Sequence, residues 1–259
     1  MTIFFNNFKV ASLIMVRLGG LIFMAPFFSS RSIPWVTKVA FAFLATLILL
    51  PLVLAKGSER EILPQKYFLL LGQEIVIGLF LGFLVLIIFS AFRLSAEFFS
   101  MQIGFNFSEA IDPYSPLSGS LIGQLKVLIG FLVFLALNGH HLLLEAVFRS
   151  YELVPLFKDK QVFSADLLKY LVSSLQGMFV VALKISFPIV AVIFLLSLTM
   201  GLFSRIIPQM NVMMFSFPVK IIVALIVLMI SAPLIVKVMY VSLEKLFVFI
   251  NQVLEAWPI

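Results

Sequence analysis

The side chains of this chain most able to do chemistry are few. Its histidines are the adjacent pair His140 and His141, with Glu145 one turn beyond. Successive residues on a helix point about 100° apart, so the two imidazoles do not converge on one metal. His141 and Glu145 share a face, but two ligands are too few for a zinc site. A turn at Asn138-Gly139 followed by hydrogen-bonded imidazoles is the plainer expectation. With no cysteine in the chain, disulfides, thiol nucleophiles and cysteine metal sites are excluded and the redox compartment is left unread. The nucleotide pattern GxxxxGKS/T, the hydrolase pattern GxSxG and the metalloprotease pattern HExxH are missing. Nothing here points to an enzyme, and no cofactor is implied.

Four charges do stand out, because they interrupt apolar runs: Arg17, Glu74, Lys184 and Lys220. Facing lipid, each is costly. Arg17 and Lys220 have two readings, snorkelling near a helix end or pairing with protein. Glu74 and Lys184 lie well inside their runs, so burial against a protein partner or a wet cavity is expected.

The stretch Met101-Gln102-Ile103-Gly104-Phe105-Asn106-Phe107-Ser108-Glu109-Ala110-Ile111-Asp112-Pro113-Tyr114-Ser115-Pro116 is neither a span nor an ordinary loop. Its aromatic and aliphatic residues seek burial, which opposes disorder, while its polar residues oppose immersion in lipid. A plug or re-entrant gate beside membrane helices fits both demands; an interfacial loop on lipid headgroups is the alternative.

The elements that position these residues follow from composition. The chain has 259 residues, of which 63% are hydrophobic and 12% charged, too little polar surface to cover a water-facing globule. It is an integral membrane protein on this count, and nucleic-acid binding is excluded as its main role. About 20 apolar residues span a bilayer as a helix, and six runs qualify, near residues 10–28, 36–55, 67–92, 121–148, 170–203 and 212–240. Barrel alternation is absent, so the fold class is all-α. The connections 93–120 and 149–169 are the long ones. The N-terminal run is expected to be retained, since Arg17 interrupts it and no small-residue cleavage site precedes Pro26.

Several features depart from a plain bundle. Pro188 falls mid-run, and Pro51, Pro218 and Pro233 lie inside others; proline removes a backbone donor, so a fifth run broken into two short helices is expected. Gly78/Gly82, Gly119/Gly123, Ser173/Gly177 and Ser197/Gly201 are small residues at four-residue spacing, suited to close helix approach, with other subunits slightly favoured over the chain itself. The segment from Phe28 to Pro34 faintly echoes that from Phe203 to Pro208, as the tips of two hairpins would. The net charge of +6 falls mostly between runs. Counted on alternate sides, ten Lys and Arg oppose five, the five being Arg31, Lys38, Arg93, Lys126 and Arg205, which places both termini in the cytoplasm if each helix crosses singly.

The residues Met101-Gln102-Ile103-Gly104-Phe105, Asp112-Pro113, Gly123-Gln124, the run from Phe134 to Leu144 through Asn138-Gly139-His140-His141, Leu153-Val154-Pro155, the run from Arg205 to Val212 and Phe217-Pro218-Val219-Lys220 resemble the FliR family, flagellar biosynthetic proteins with homologues in virulence secretion systems. The resemblance covers nearly the whole length. It implies a subunit of a type III export gate, in the bacterial inner membrane at the flagellar basal body, that joins FliP-like and FliQ-like subunits around a pore for unfolded substrate proteins. FlhB-like and FlhA-like export proteins are the further partners implied. One membrane domain would then have a FliP-like front part, 1–148, and a rear part, 149–259, with a FliQ-like hairpin, and the assembly would lie largely above the membrane plane.

By the same resemblance the segment from Gly104 to Ser115 is the pore segment. Phe105, Phe107 and Ile111 would form a dewetting seal, Asn106, Glu109 and Asp112 its hydrated side, and Gly104 and Pro113 its ends. Arg17, Glu74, Lys184 and Lys220 would meet other subunits, and Pro188 and Pro218 would mark helix breaks. A secondary transporter is the rival reading, since kinked helices and buried charges also suit one; an intramembrane enzyme is weaker, for want of paired catalytic groups.

Overall fold

An apolar chain in lipid must satisfy its own backbone, and the α-helix does this within each segment. In the computed structural model, which describes residues 2–30, 33–55, 64–104, 121–156, 165–207 and 212–257, the regular elements are all helical: α1 (Thr2–Met24), α2 (Pro26–Ser29), α3 (Trp35–Ala55), α4 (Pro64–Ile103), α5 (Leu121–Ala136), α6 (Gly139–Leu153), α7 (Ala165–Ile206) and α8 (Val212–Glu255). Among the described residues five helices are long and apolar enough to cross a membrane, and the bent pair α5 and α6 makes a sixth span if counted as one.

Two expectations about breaks are corrected. Pro188 and Pro218, expected to end helices, lie inside the continuous helices α7 and α8, as do Pro233 in α8 and Pro51 in α3. Each proline lacks the N–H that would bond the carbonyl four residues back along the helix. Ending the helix in an apolar setting would strand several more, so the helix carries on. The long connections also shrink. Residues 93–103 continue α4, with Ala96 and Phe99 buried, and residues 149–153 continue α6.

The chain forms two compact units. The first comprises Met1–Ile87, Asn138–Leu175 and Glu244–Ile259. In it α1 and α3 pack as a hairpin through α2, closed by Lys38 Nζ donating to the Ser30 carbonyl at 3.0 Å and by stacking of Phe28 on Phe41. Helix α1 meets α4 almost backbone to backbone. A Cβ on Gly78 would strike the Arg17 carbonyl oxygen, one on Gly20 would lie 2.9 Å from Leu79 N, and one on Gly82 would lie 2.6 Å from Met24 Cβ. The Gly78/Gly82 pair thus serves packing within the chain rather than the contacts with other subunits that its spacing slightly favours. Gly177 and Gly201, in contrast, have open space where a Cβ would stand, with nothing within 4 Å. Near the end of α8 the chain returns to this unit, where Trp257 packs edge-on against Phe80.

The second unit comprises Ile88–Leu137 and Gln176–Leu243. Its core joins α4 to α5 through Phe89, Phe92, Phe131 and Phe134, with ring centroids 4.7 Å apart for Phe89 and Phe131. Gly130 makes the approach possible, since a Cβ there would lie 2.6 Å from Phe92 Cδ2.

Candidate functional site: buried charges and the anchors of the pore segment

Arg17 and Glu74 carry the expectation of reaching other subunits, with snorkelling as a second reading for Arg17. The structure corrects both. The two side chains are completely buried in the first unit, and Arg17 Nε donates to Glu74 Oε2. Lipid-depth burial of either charge alone is prohibitive, and pairing with further hydrogen bonds offsets the desolvation. Helix α6 supplies those bonds. Arg17 Nη1 donates to Ser150 Oγ at 2.7 Å, Nη2 approaches the Val154 carbonyl at 3.4 Å, and the guanidinium lies 3.8 Å from the Tyr151 ring centroid. Ser150 Oγ donates its own proton to the Val147 carbonyl at 2.6 Å. Val147, Ser150, Tyr151 and Val154 recur at three- and four-residue spacing, so one face of α6 meets the cation. The cluster joins α1, α4 and α6 and has no geometry for catalysis: its one base is tied to its one cation.

Lys184 and Lys220 do not join it. They belong to the second unit, where Lys184 is exposed and Lys220 half-buried on the surface of this chain. The burial expected of Lys184 against a protein partner is not met by this chain itself, where its helical neighbours Val180 and Phe187 are exposed as well.

Of the expected pore segment, Phe105, Asn106, Phe107, Glu109, Ile111, Asp112 and Pro113 lie outside the described residues. Gly104, which opens it, is described. Its φ of +89° is in the left-handed region that glycine enters without strain. Its N–H donates to the Ser100 carbonyl at 3.1 Å, ending α4 in a capped turn. A Cβ at Gly104 would strike the ring of Phe217 on α8. Sequence and structure agree that the chain turns here, and the turn has room for glycine alone.

At the histidines, Asn138 adopts φ +53° and its carbonyl accepts from the His141 and Leu142 N–H groups, which forms the expected turn. The expected hydrogen bonding of the imidazoles is corrected for His140, whose Nδ1 is buried without a partner among the described residues. The two rings lie 4.3 Å apart. Among the described residues no group of three His, Cys, Asp or Glu could hold a metal.

Sequence reasoning misses one residue. Along the chain Lys126 reads as a topology charge, yet it is only 3% exposed. Its Nζ donates to Ser95 Oγ at 3.1 Å and sits 4.4 Å from the Phe99 ring centroid. Position 126 falls within an apolar run beside Gln124 and Gly123, which makes an interfacial placement look natural. The signal that could find it is the face of α4 on which Ser95 and Phe99 lie one turn apart.

Long apolar helices, with the Arg17–Glu74 ion pair buried among them, define a polytopic helical membrane protein. The family model for bacterial export proteins, family 1, matches residues 8–246. Among similar proteins, the flagellar biosynthetic protein FliR of Bacillus subtilis is 30% identical over 241 residues, 93% of this chain and 91% of that one. That of Escherichia coli is 26% identical, covering 95% and 92%, and that of Borreliella burgdorferi 30% identical, covering 92% and 89%. The chain belongs to the FliR family of bacterial export proteins. It is a membrane-embedded component of a flagellar export apparatus, and its role is structural transport rather than catalysis.

Proposed function

We propose that this chain is a subunit of the flagellar type III export gate, in the inner membrane at the basal body, where it forms with FliP-like and FliQ-like subunits a pore for unfolded substrate proteins and helps to close it. FlhB-like and FlhA-like proteins are its further partners. The single membrane domain has a front part, 1–148, that carries the pore segment, and a rear part, 149–259, that carries a FliQ-like hairpin. The observation that carries the reading is helix length. Helices α4, α7 and α8 have 40, 42 and 44 residues, roughly 60–66 Å at 1.5 Å per residue, against about 30 Å of hydrocarbon. Their apolar residues extend over that whole length, with Leu168, Phe187 and Leu202 on α7 and Met214, Met229 and Val248 on α8 all exposed. Lipid covers about half of such a helix, so other protein is needed for the remainder, and Lys184 and Lys220 would find partners there.

Native mass spectrometry of the chain, co-produced with its neighbouring export subunits in mild detergent, tests the assembly: one copy with several copies of smaller membrane proteins is expected, and a lone monomer or homodimer would favour the transporter. The seal has its own test. Replacing both Phe105 and Phe107 with Gly should raise ion conductance through the assembled complex, because the pore loses the apolar surface that excludes water; unchanged conductance would remove the segment from the seal.

A further inference from the structure

We propose that Lys126 is a positioning residue for the pore, fixing the register of α5 against α4 at the two ends of the segment between them; the inference rests on the export-gate reading above. Helix α4 ends at Ile103 and α5 begins at Leu121. Ser95 and Phe99 lie in the last turns of α4, and Lys126 lies in the second turn of α5. Their contacts therefore sit where the two helices lead into the segment 104–120.

The physical oddity is a buried ammonium with no carboxylate beside it among the described residues. Nζ is held by one hydroxyl oxygen and one ring face. Ser95 Oγ gives its own proton to the Phe92 carbonyl at 2.6 Å, so it is free to accept from the lysine. A methionine would fill this space without the desolvation cost of a cation. What a methionine lacks is direction. The Phe89, Phe92, Phe131 and Phe134 contacts between the same helices are apolar and non-directional, and permit sliding by small steps. A charged donor aimed at one hydroxyl permits a single register. The capped turn at Gly104 holds the same end of α4 against Phe217, so the departure point of the segment is fixed twice.

The test uses the complete co-produced complex with Lys126→Met and, separately, Ser95→Ala. Both should assemble at wild-type mass and show a roughly tenfold rise in ion leakage per complex, the shift in a closed-to-open equilibrium that loss of one hydrogen bond to a charged group produces. A residue serving stability alone would lower the yield of complex and leave leakage per complex unchanged, which would overturn the proposal. If Lys126→Met yields no complex, Ser95→Ala, which removes one oxygen, decides by itself. The Phe105 and Phe107 double variant separates the two levels: if it leaks while both register variants stay tight, this inference fails and the gate reading stands; if it too stays tight, the gate reading fails and takes the inference with it.

Discussion

Glu74→Ala should leave the chain unable to accumulate in the membrane. The substitution strands the Arg17 guanidinium at a site with no solvent access, with only Ser150 Oγ and the Val154 carbonyl as acceptors among the described residues. Removing one partner of a buried pair costs about 3–5 kcal/mol, which is roughly a hundredfold to several thousandfold in a folding equilibrium. The measurement is the temperature of half-loss in detergent together with abundance in membranes. Replacing both residues with Met should recover most of the loss, since well-packed apolar side chains often match a buried ion pair. If the charges served contacts with other subunits instead, Glu74→Ala would leave the isolated chain as stable as the wild type, and the double variant would still fail to assemble.

Gly78→Ala should be nearly as damaging, although it adds one methyl group. The new Cβ would meet the Arg17 carbonyl oxygen and, at 3.1 Å, the Arg17 Cα, which are backbone atoms that cannot rotate aside. Helix α1 must move away from α4, at an overpacking cost of about 1–3 kcal/mol or more. That movement also draws Arg17 off Glu74, so Gly78→Ala and Glu74→Ala together should cost clearly less than the sum of their separate effects. Gly72 provides the control on the same helix. It has nothing within 4 Å, and Ala there should be neutral or stabilising by about 0.5–1 kcal/mol through helix propensity. Equal effects at Gly72 and Gly78 would contradict the close α1 to α4 contact.

Much of this architecture is legible in the residues alone. Apolar runs too long and too poor in charge for a soluble core make the helices and the membrane setting unavoidable, because lipid offers the backbone no alternative partner. The cost of a lone charge in such a run marks Glu74 as buried, and Asn138-Gly139 and Gly104 mark turns through the left-handed backbone they support. Prolines are less informative. Pro188 and Pro218 suggest breaks when read as soluble-protein signals, but in an apolar environment one freed carbonyl is cheaper than a helix end, and the helices continue through them.

What the sequence determined by itself is the class of this protein: all-helical, membrane-embedded, a FliR-family export component. Only the tertiary structure decided which partner each exceptional residue takes. Arg17 and Glu74 are 57 positions apart, and Lys126 and Ser95 are 31 apart. Helical periodicity reveals that a face is apolar or interrupted by charge, but not which face of another helix will cover it. That choice depends on the close approach of backbones at Gly20, Gly78 and Gly82 and on aromatic packing between α4 and α5, which arise only when the helices meet. A charge that reads along the chain as a topology signal becomes, in three dimensions, a buried group with one acceptor, because burial belongs to the packed ensemble of helices and not to any one of them.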